Sequence, residues 1–281
     1  MENLQDLWRS VFLGIVQGLT EFLPISSSAH LAIVPQLLGW EDPGAAYTAV
    51  VQIGTEVAVV LYFWRDIWTI GSGWIRGLFS ADARRAPEWM MGWFIIVGSV
   101  PIVVAGIALQ DLIEREFRNL WVVGTTLIVM GLVLGLAERV GRKTRPIESL
   151  TWGHAVLYGV AQMCALIPGV SRSGATISMG LFLGYDRRAA TRYAFLLAIP
   201  AVVGAGLFQL KDIPGGENAY GTVPTFVGTV VSFVVGLAVI HWLLRYVSTH
   251  SYLPFVIYRV LLGTLVLVLL STGAITAAIA G

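Results

Sequence analysis

Long apolar runs dominate this chain, and two of them are interrupted in the same way. The first runs over 13–24 and is apolar except for Gln17, Thr20 and Glu21; it reaches Pro24 and gives way to Ile25-Ser26-Ser27-Ser28-Ala29-His30. The second begins near Tyr158, passes Gln162, and breaks at Pro168-Gly169-Val170-Ser171-Arg172-Ser173-Gly174-Ala175-Thr176. Six other stretches run without such a break: 46–64, 90–110, 120–138, 190–210, 223–245 and 254–279. Each approaches the ~20 apolar residues that cross a bilayer as a helix. The broken segments, 10–39 and 152–184, divide into halves of roughly 10–16 residues, which is short for a span and suits a re-entrant path. Irregular backbone at membrane depth is tolerated only where protein or water surrounds it, so both breaks belong inside a bundle. The expected fold is an all-α polytopic membrane protein with six spanning helices and two re-entrant broken-helix segments. It forms one integral membrane domain over 1–281, with halves near 1–140 and 141–281.

Composition agrees with a membrane protein: 56% of residues are hydrophobic and 12% charged, where soluble domains carry about a quarter charged. The net charge of +1 gives no footprint for nucleic acid. One cysteine excludes an internal disulfide. Residues 11–29 imitate a secretory leader, but Glu2, Asp6, Gln17 and Glu21 are out of place in one.

Charge placement sets the orientation. Of the 18 basic residues, four (Arg9, Arg115, Arg118 and Lys211) fall in loops on the side of the N-terminus. Two (Arg172 and Arg259) lie in apolar segments, and the other twelve fall in the opposite loops. The excess of Lys and Arg marks the cytoplasmic side, so both termini are expected outside. The first break then opens to the exterior and the second to the cytoplasm. Three spans separate them, an odd number, which makes the halves an inverted-topology repeat. Broken helices at matching positions of such repeats mark functional sites.

Polar groups at those breaks are costly in lipid and carry the candidate chemistry. Gln17 and Glu21 share one helix face, as do Gln52 and Glu56 in the span 46–64. Gly14 and Gly18 read as close-packing positions. His30 suits acid–base work or attack on phosphorus. Ser26, Ser27 and Ser28 stand at a helix N-terminus, where hydroxyls, backbone N–H groups and the dipole favour an anion. Ser171, Ser173 and Thr176 repeat that pattern around Arg172, whose guanidinium fork matches phosphate. Arg259 with Tyr258 reads as a structural pair. The set suits a polyanionic headgroup whose apolar tail lies in the bilayer, and Glu21 fits a divalent ion bridging phosphate oxygens.

At these residues the chain resembles the undecaprenyl-diphosphate phosphatase family of the BacA/UppP type, over nearly its whole length. The resemblance rests on the motif from Gln17 to Ser27 with His30, and on the motif Pro168 to Thr176. Position 17 is Glu or Gln in the first motif; here it is Gln17, which hydrogen-bonds but does not titrate. The resemblance implies hydrolysis of undecaprenyl diphosphate to the monophosphate and inorganic phosphate, recycling the lipid carrier for cell-wall synthesis and conferring resistance to bacitracin. It implies a bacterial plasma-membrane location, an active site facing the periplasm or exterior, and Mg2+ or Ca2+ at Glu21. Catalytic roles fall on Glu21, Ser27, His30 and Arg172, and substrate contacts on Gln17, Ser26, Ser171, Ser173 and Thr176. The nucleophile is open among Ser27 activated by His30, His30 itself, and water. The oligomeric state is open too, with a homodimer as the form to test. A transporter of the polyprenyl phosphate is the alternative reading, since inverted repeats with broken helices also build transporters.

Overall fold

The structure, a computed structural model, describes residues 4–109, 119–209 and 220–278. Arg115, Arg118 and Lys211 of the charge count lie outside the described residues. Eleven α-helices account for most of the described chain: α1 (Leu4–Phe22), α2 (Ser27–Leu37), α3 (Gly44–Tyr62), α4 (Trp64–Phe79), α5 (Pro87–Ala108), α6 (Leu120–Val140), α7 (Trp152–Met163), α8 (Arg172–Phe182), α9 (Arg187–Gln209), α10 (Thr222–Thr249) and α11 (Leu253–Ser271). Among the described residues the only β-type pairings are two isolated bridges, Asn119 with Ala278 and Arg145 with Tyr185.

Among the described residues four helices are long and apolar enough to cross a bilayer: α5, α6, α10 and α11. The expected span 46–64 becomes α3, and the chain then bends by 66° into α4, the pair together making a fifth candidate. Residues 65–79, read from sequence as a loop, are therefore helical. Their amphipathic pattern explains this: α4 lays Gly73 against Glu88 and Gly77 against Trp89, and leaves Trp68 and Phe79 exposed. Of the stretch 190–210, residues 190–209 lie on α9, which carries Pro200 inside it, and residue 210 is outside the described residues. The last stretch ends as helix at Ser271, short of the expected 279. The chain beyond it turns at Gly273 (φ 72°) and brings the Ala277 carbonyl to the Leu120 N–H.

Both broken segments are built to one local plan. α1 stops at Phe22 because Pro24 disfavours helical backbone in the residue before it. α2 restarts at Ser27 after Ser26, whose φ is 75°. α7 ends at Met163, a 3-10 turn spans Cys164–Leu166, Gly169 takes φ 87°, and α8 starts after Ser171 at φ 70°. A left-handed conformation costs a residue with a Cβ about 1–2 kcal/mol. Local hydrogen bonds hold each serine in it. Gly14 and Gln17 lie twelve and nine residues before Ser26, and Gly159 and Gln162 lie at the same distances before Ser171.

Glycines let these short helices press onto long ones. A Cβ on Gly14 would come 2.4 Å from the Gly228 carbonyl oxygen of α10, and one on Gly159 would come 2.4 Å from that of Gly98 on α5. Each half of the chain thus seats its broken helix on a long helix of the other half. Gly18 abuts Ser232 and Val235 in the same seam, as expected of small residues where backbones approach closely. The main core gathers Phe22, Ala58, Phe94, Ala155, Ile177, Phe195 and Ile240 from seven helices around the two breaks.

Candidate active site

Arg259 of α11 fastens the two breaks together. It is fully buried. Its Nη1 donates to the Pro24 carbonyl at 3.0 Å, and its Nη2 to those of Gly169 and Val170 at 2.8 and 3.1 Å. Nε reaches Leu127 O at 3.2 Å, and Nη2 also lies 3.4 Å from Thr126 O. The breaks expose carbonyls that no helix satisfies, and a five-donor guanidinium answers several at once. Thr126 Oγ1 adds a bond to the Pro168 carbonyl at 2.7 Å. The expected side-chain pair with Tyr258 is corrected: Arg259 works on backbone, and Tyr258 turns to His30.

Glu21 is the centre of the polar cluster. Arg172 Nη2 meets its Oε1 at 2.5 Å, joining the second break to the first. Its Oε2 accepts from Ser27 Oγ at 2.5 Å and from Gln17 Nε2 at 3.1 Å. Gln17 Nε2 also lies 3.2 Å from Thr55 Oγ1 of α3, so the amide fixes the carboxylate against a third helix. Ser173 Oγ donates to the Leu23 carbonyl at 3.1 Å. The side chains of Glu21 and Arg172 keep 11% and 20% of their surface exposed. A charge pair at that depth is strong, and removing one partner costs on the order of 3–5 kcal/mol.

The exposed edges of this cluster line a small, partly open cleft. Glu21, Thr55, Glu56, Arg172 and Ser173 form its polar end, and Phe22, Val59, Phe195 and Val202 are among the residues of its apolar wall. One end therefore suits an anionic headgroup and the other a hydrocarbon chain.

The remaining sequence candidates stand apart from that cleft or face away from it. His30 is buried. Its Nδ1 lies 2.6 Å from the Ser26 carbonyl, which only accepts, so Nδ1 carries the proton; Nε2 then accepts from the Tyr258 hydroxyl at 2.6 Å. Both ring nitrogens are thus engaged, and Ser27 bonds Glu21 instead of His30. Ser26 Oγ pairs with Ser28 Oγ at 3.1 Å, and Ser171 Oγ with Ser173 Oγ at 3.1 Å. Ser171 Oγ also caps α8 by accepting from Gly174 N at 3.1 Å. Thr176 Oγ1 returns to the Arg172 and Ser173 carbonyls at 2.7 and 3.3 Å. Its hydroxyl is spent on its own helix.

An all-helical membrane protein whose broken helices present Ser173, Glu21 and Arg172 to a half-apolar cleft, with Ser27 bonded to the far side of that carboxylate group, has the equipment for phosphoryl chemistry on a lipid. Comparison with known proteins agrees: the model of the family described as bacitracin resistance protein BacA matches residues 10–265. The chain belongs to that family. An undecaprenyl-diphosphatase of a Nocardioides species is 65% identical over 272 residues, covering 97% of this chain and 99% of that protein. Those of Micrococcus luteus and Thermobifida fusca are 56% and 53% identical, over 95% of this chain in each case and 98% and 91% of theirs.

Proposed function

We propose that this chain is an integral membrane phosphatase that hydrolyses undecaprenyl diphosphate to undecaprenyl phosphate and inorganic phosphate. In the bacterial plasma membrane this returns the lipid carrier to cell-wall synthesis and protects against bacitracin. The observation that carries the mechanism is the chain Ser27–Glu21–Arg172. The diphosphate enters the polar end of the cleft, with the first isoprene units against Phe22, Val59 and Phe195. Arg172, held in place by Glu21 Oε1, places its remaining donors on the terminal phosphoryl oxygens. Positioning and charge stabilisation supply most of the rate in phosphoryl transfer.

Ser27 Oγ already points its proton at Glu21 Oε2. In the first step the Ser27 Oγ–P bond forms and the bond from phosphorus to the bridging oxygen breaks. Undecaprenyl phosphate leaves, and Glu21 takes the hydroxyl proton. In the second step water attacks the phosphoserine. The Oγ–P bond breaks, Glu21 returns its proton to Oγ, and both protons of the water leave on inorganic phosphate. Gln17 keeps the carboxylate aimed throughout. His30 holds the left-handed Ser26 from its carbonyl side and thereby fixes where Ser27 begins α2; on this reading it is a positioning residue.

A divalent cation, Mg2+ or Ca2+, fits the oxygen-rich cleft. Among the described residues no three of His, Cys, Asp and Glu cluster as a cage, and Mg2+ is commonly held by one or two carboxylates plus substrate phosphates. Glu21 would hold the ion from the protein side, and the ion would supply further neutralisation of phosphate charge. The excess of basic residues on the opposite loops supports a cleft and termini that face the exterior. The shared plan of the two breaks supports an inverted repeat.

Purified protein in detergent tests the reading with a C15 or C55 diphosphate. Wild type releases phosphate, while Glu21→Gln and Arg172→Lys release little. Absence of phosphate release, with the lipid instead moved across the bilayer of sealed vesicles, would overturn it in favour of a transporter.

A further inference from the structure

The cleft holds a second carboxylate that the mechanism above does not use. Glu56 of α3 lines it beside Glu21 and Arg172 and keeps only 7% of its surface exposed. Gln52 Nε2 donates to Glu56 Oε1 at 3.1 Å. The same arrangement, a glutamine four residues ahead of a glutamate, holds Glu21 on α1 at 3.1 Å. Two helices thus bring one glutamine-held carboxylate each to one cleft. They are linked where Gln17 touches Thr55, the neighbour of Glu56.

The charges do not balance. Among the described residues Arg172 is the one cation lining the cleft, and it is already joined to Glu21. Among the described residues Glu56 forms no salt bridge with Arg, Lys or His. With both carboxylates ionised the polar end carries a net negative charge, and a diphosphate headgroup adds at least two more. A buried carboxylate without a cation takes up a proton or costs several kcal/mol, and while ionised it repels the substrate as well. Both penalties vanish if a hard cation sits between the carboxylates and the phosphate oxygens.

We infer that Glu56 is the second protein ligand of the divalent cation, acting with Glu21 to hold it against the diphosphate. The inference rests on the phosphatase reading and names the residue that makes cation and substrate bind together. It predicts opposite effects of one substitution in the absence and presence of the metal, which a packing role for Glu56 would not give.

The probe is a C15 lipid with a methylenediphosphonate headgroup, which resists hydrolysis; its binding to the purified full chain in detergent is measured in EDTA and at graded Mg2+. In wild type Mg2+ tightens binding. In Glu56→Gln, binding in EDTA becomes severalfold tighter because one repelling charge is gone, while the tightening by Mg2+ shrinks tenfold or more. Gln17→Glu added to Glu56→Gln restores most of the Mg2+ effect, since residue 17 also borders Glu21 and Thr55. Glu56→Asp, with the charge kept and the reach shortened, loses part of the Mg2+ effect and leaves EDTA binding near wild type. A Glu56→Gln protein with the wild-type Mg2+ dependence, or with binding lowered equally in both conditions, overturns the inference. So does a wild type insensitive to Mg2+. Failure of the phosphatase reading is seen separately, as no phosphate release from the natural diphosphate.

Discussion

The two breaks share a backbone and divide the chemistry. Each turns on a serine at positive φ, 75° at Ser26 and 70° at Ser171. Each pairs that serine's hydroxyl at 3.1 Å with a second serine two residues on. The residue between the two serines differs: Ser27 in the first break and Arg172 in the second. These two side chains take the two oxygens of Glu21, each at 2.5 Å. A repeated turn has thus been used to aim a hydroxyl from one side and a cation from the other at a single carboxylate. The supporting groups diverge as well. The amide nitrogen of Gln17 bonds Glu21 and Thr55, whereas Gln162, in the matching place, has neither of its polar atoms bonded among the described residues. Local geometry is copied between the halves; the side chains aimed at Glu21 are not.

The comparison breaks hardest at Ser27. Ser27→Ala removes the proposed nucleophile and should lower kcat by about 10⁴-fold or more, as when other activated nucleophiles are deleted. Activity within tenfold of wild type would show that the hydroxyl of the first break is not the reacting group. Arg172→Lys keeps the charge of the second break but loses the fork, and a fall of about 10³-fold in kcat/KM is expected, comparable with loss of an arginine that stabilises a transferring phosphoryl group. Retained turnover would remove Arg172 from the transition state.

A third substitution acts on what joins the breaks. Arg259→Met leaves the Pro24, Gly169 and Val170 carbonyls of the breaks without their donor, and the expected loss of stability is on the order of 3 kcal/mol. It is read as a lower unfolding midpoint in detergent. An unchanged midpoint would mean that the two tips meet without the clamp. The smallest effect separates the serines at positive φ. Ser171→Ala loses an N-cap that Ser26→Ala does not, because Ser26 makes no side-chain cap. Ser171→Ala should therefore be less stable than Ser26→Ala by about 1 kcal/mol.

Much of this was legible in the chain. Glu21, His30 and Arg172 stand out because ionisable groups are expensive in apolar runs, and Pro24 and Pro168 mark where helices must stop. The clusters Ser26-Ser27-Ser28 and Ser171-Arg172-Ser173 fall where helices restart. What was hidden depends on partners far away in sequence. Arg259 announces itself as a buried charge, but its partners are carbonyls of residues 24, 126, 127, 169 and 170, and backbone leaves no mark in a sequence. The link between Ser27 and Glu21 crosses a break, so helical spacing could not reveal it, and the nearness of His30 to the serines pointed elsewhere. Thr176 sits one turn beyond Ser173 as the spacing says, yet its hydroxyl turns back on its own helix. Helix α4 was masked by its charges, Arg65, Asp66 and Arg76, which read as a loop until its apolar face found α5.

The division of labour between the breaks is tested most directly by trapping the enzyme with substrate labelled in its terminal phosphate and quenching in acid. Acid-stable phosphoserine is expected in wild type and in His30→Ala, and none in Ser27→Ala. Acid-labile phosphohistidine, or acid-stable label that persists in Ser27→Ala, would contradict the account.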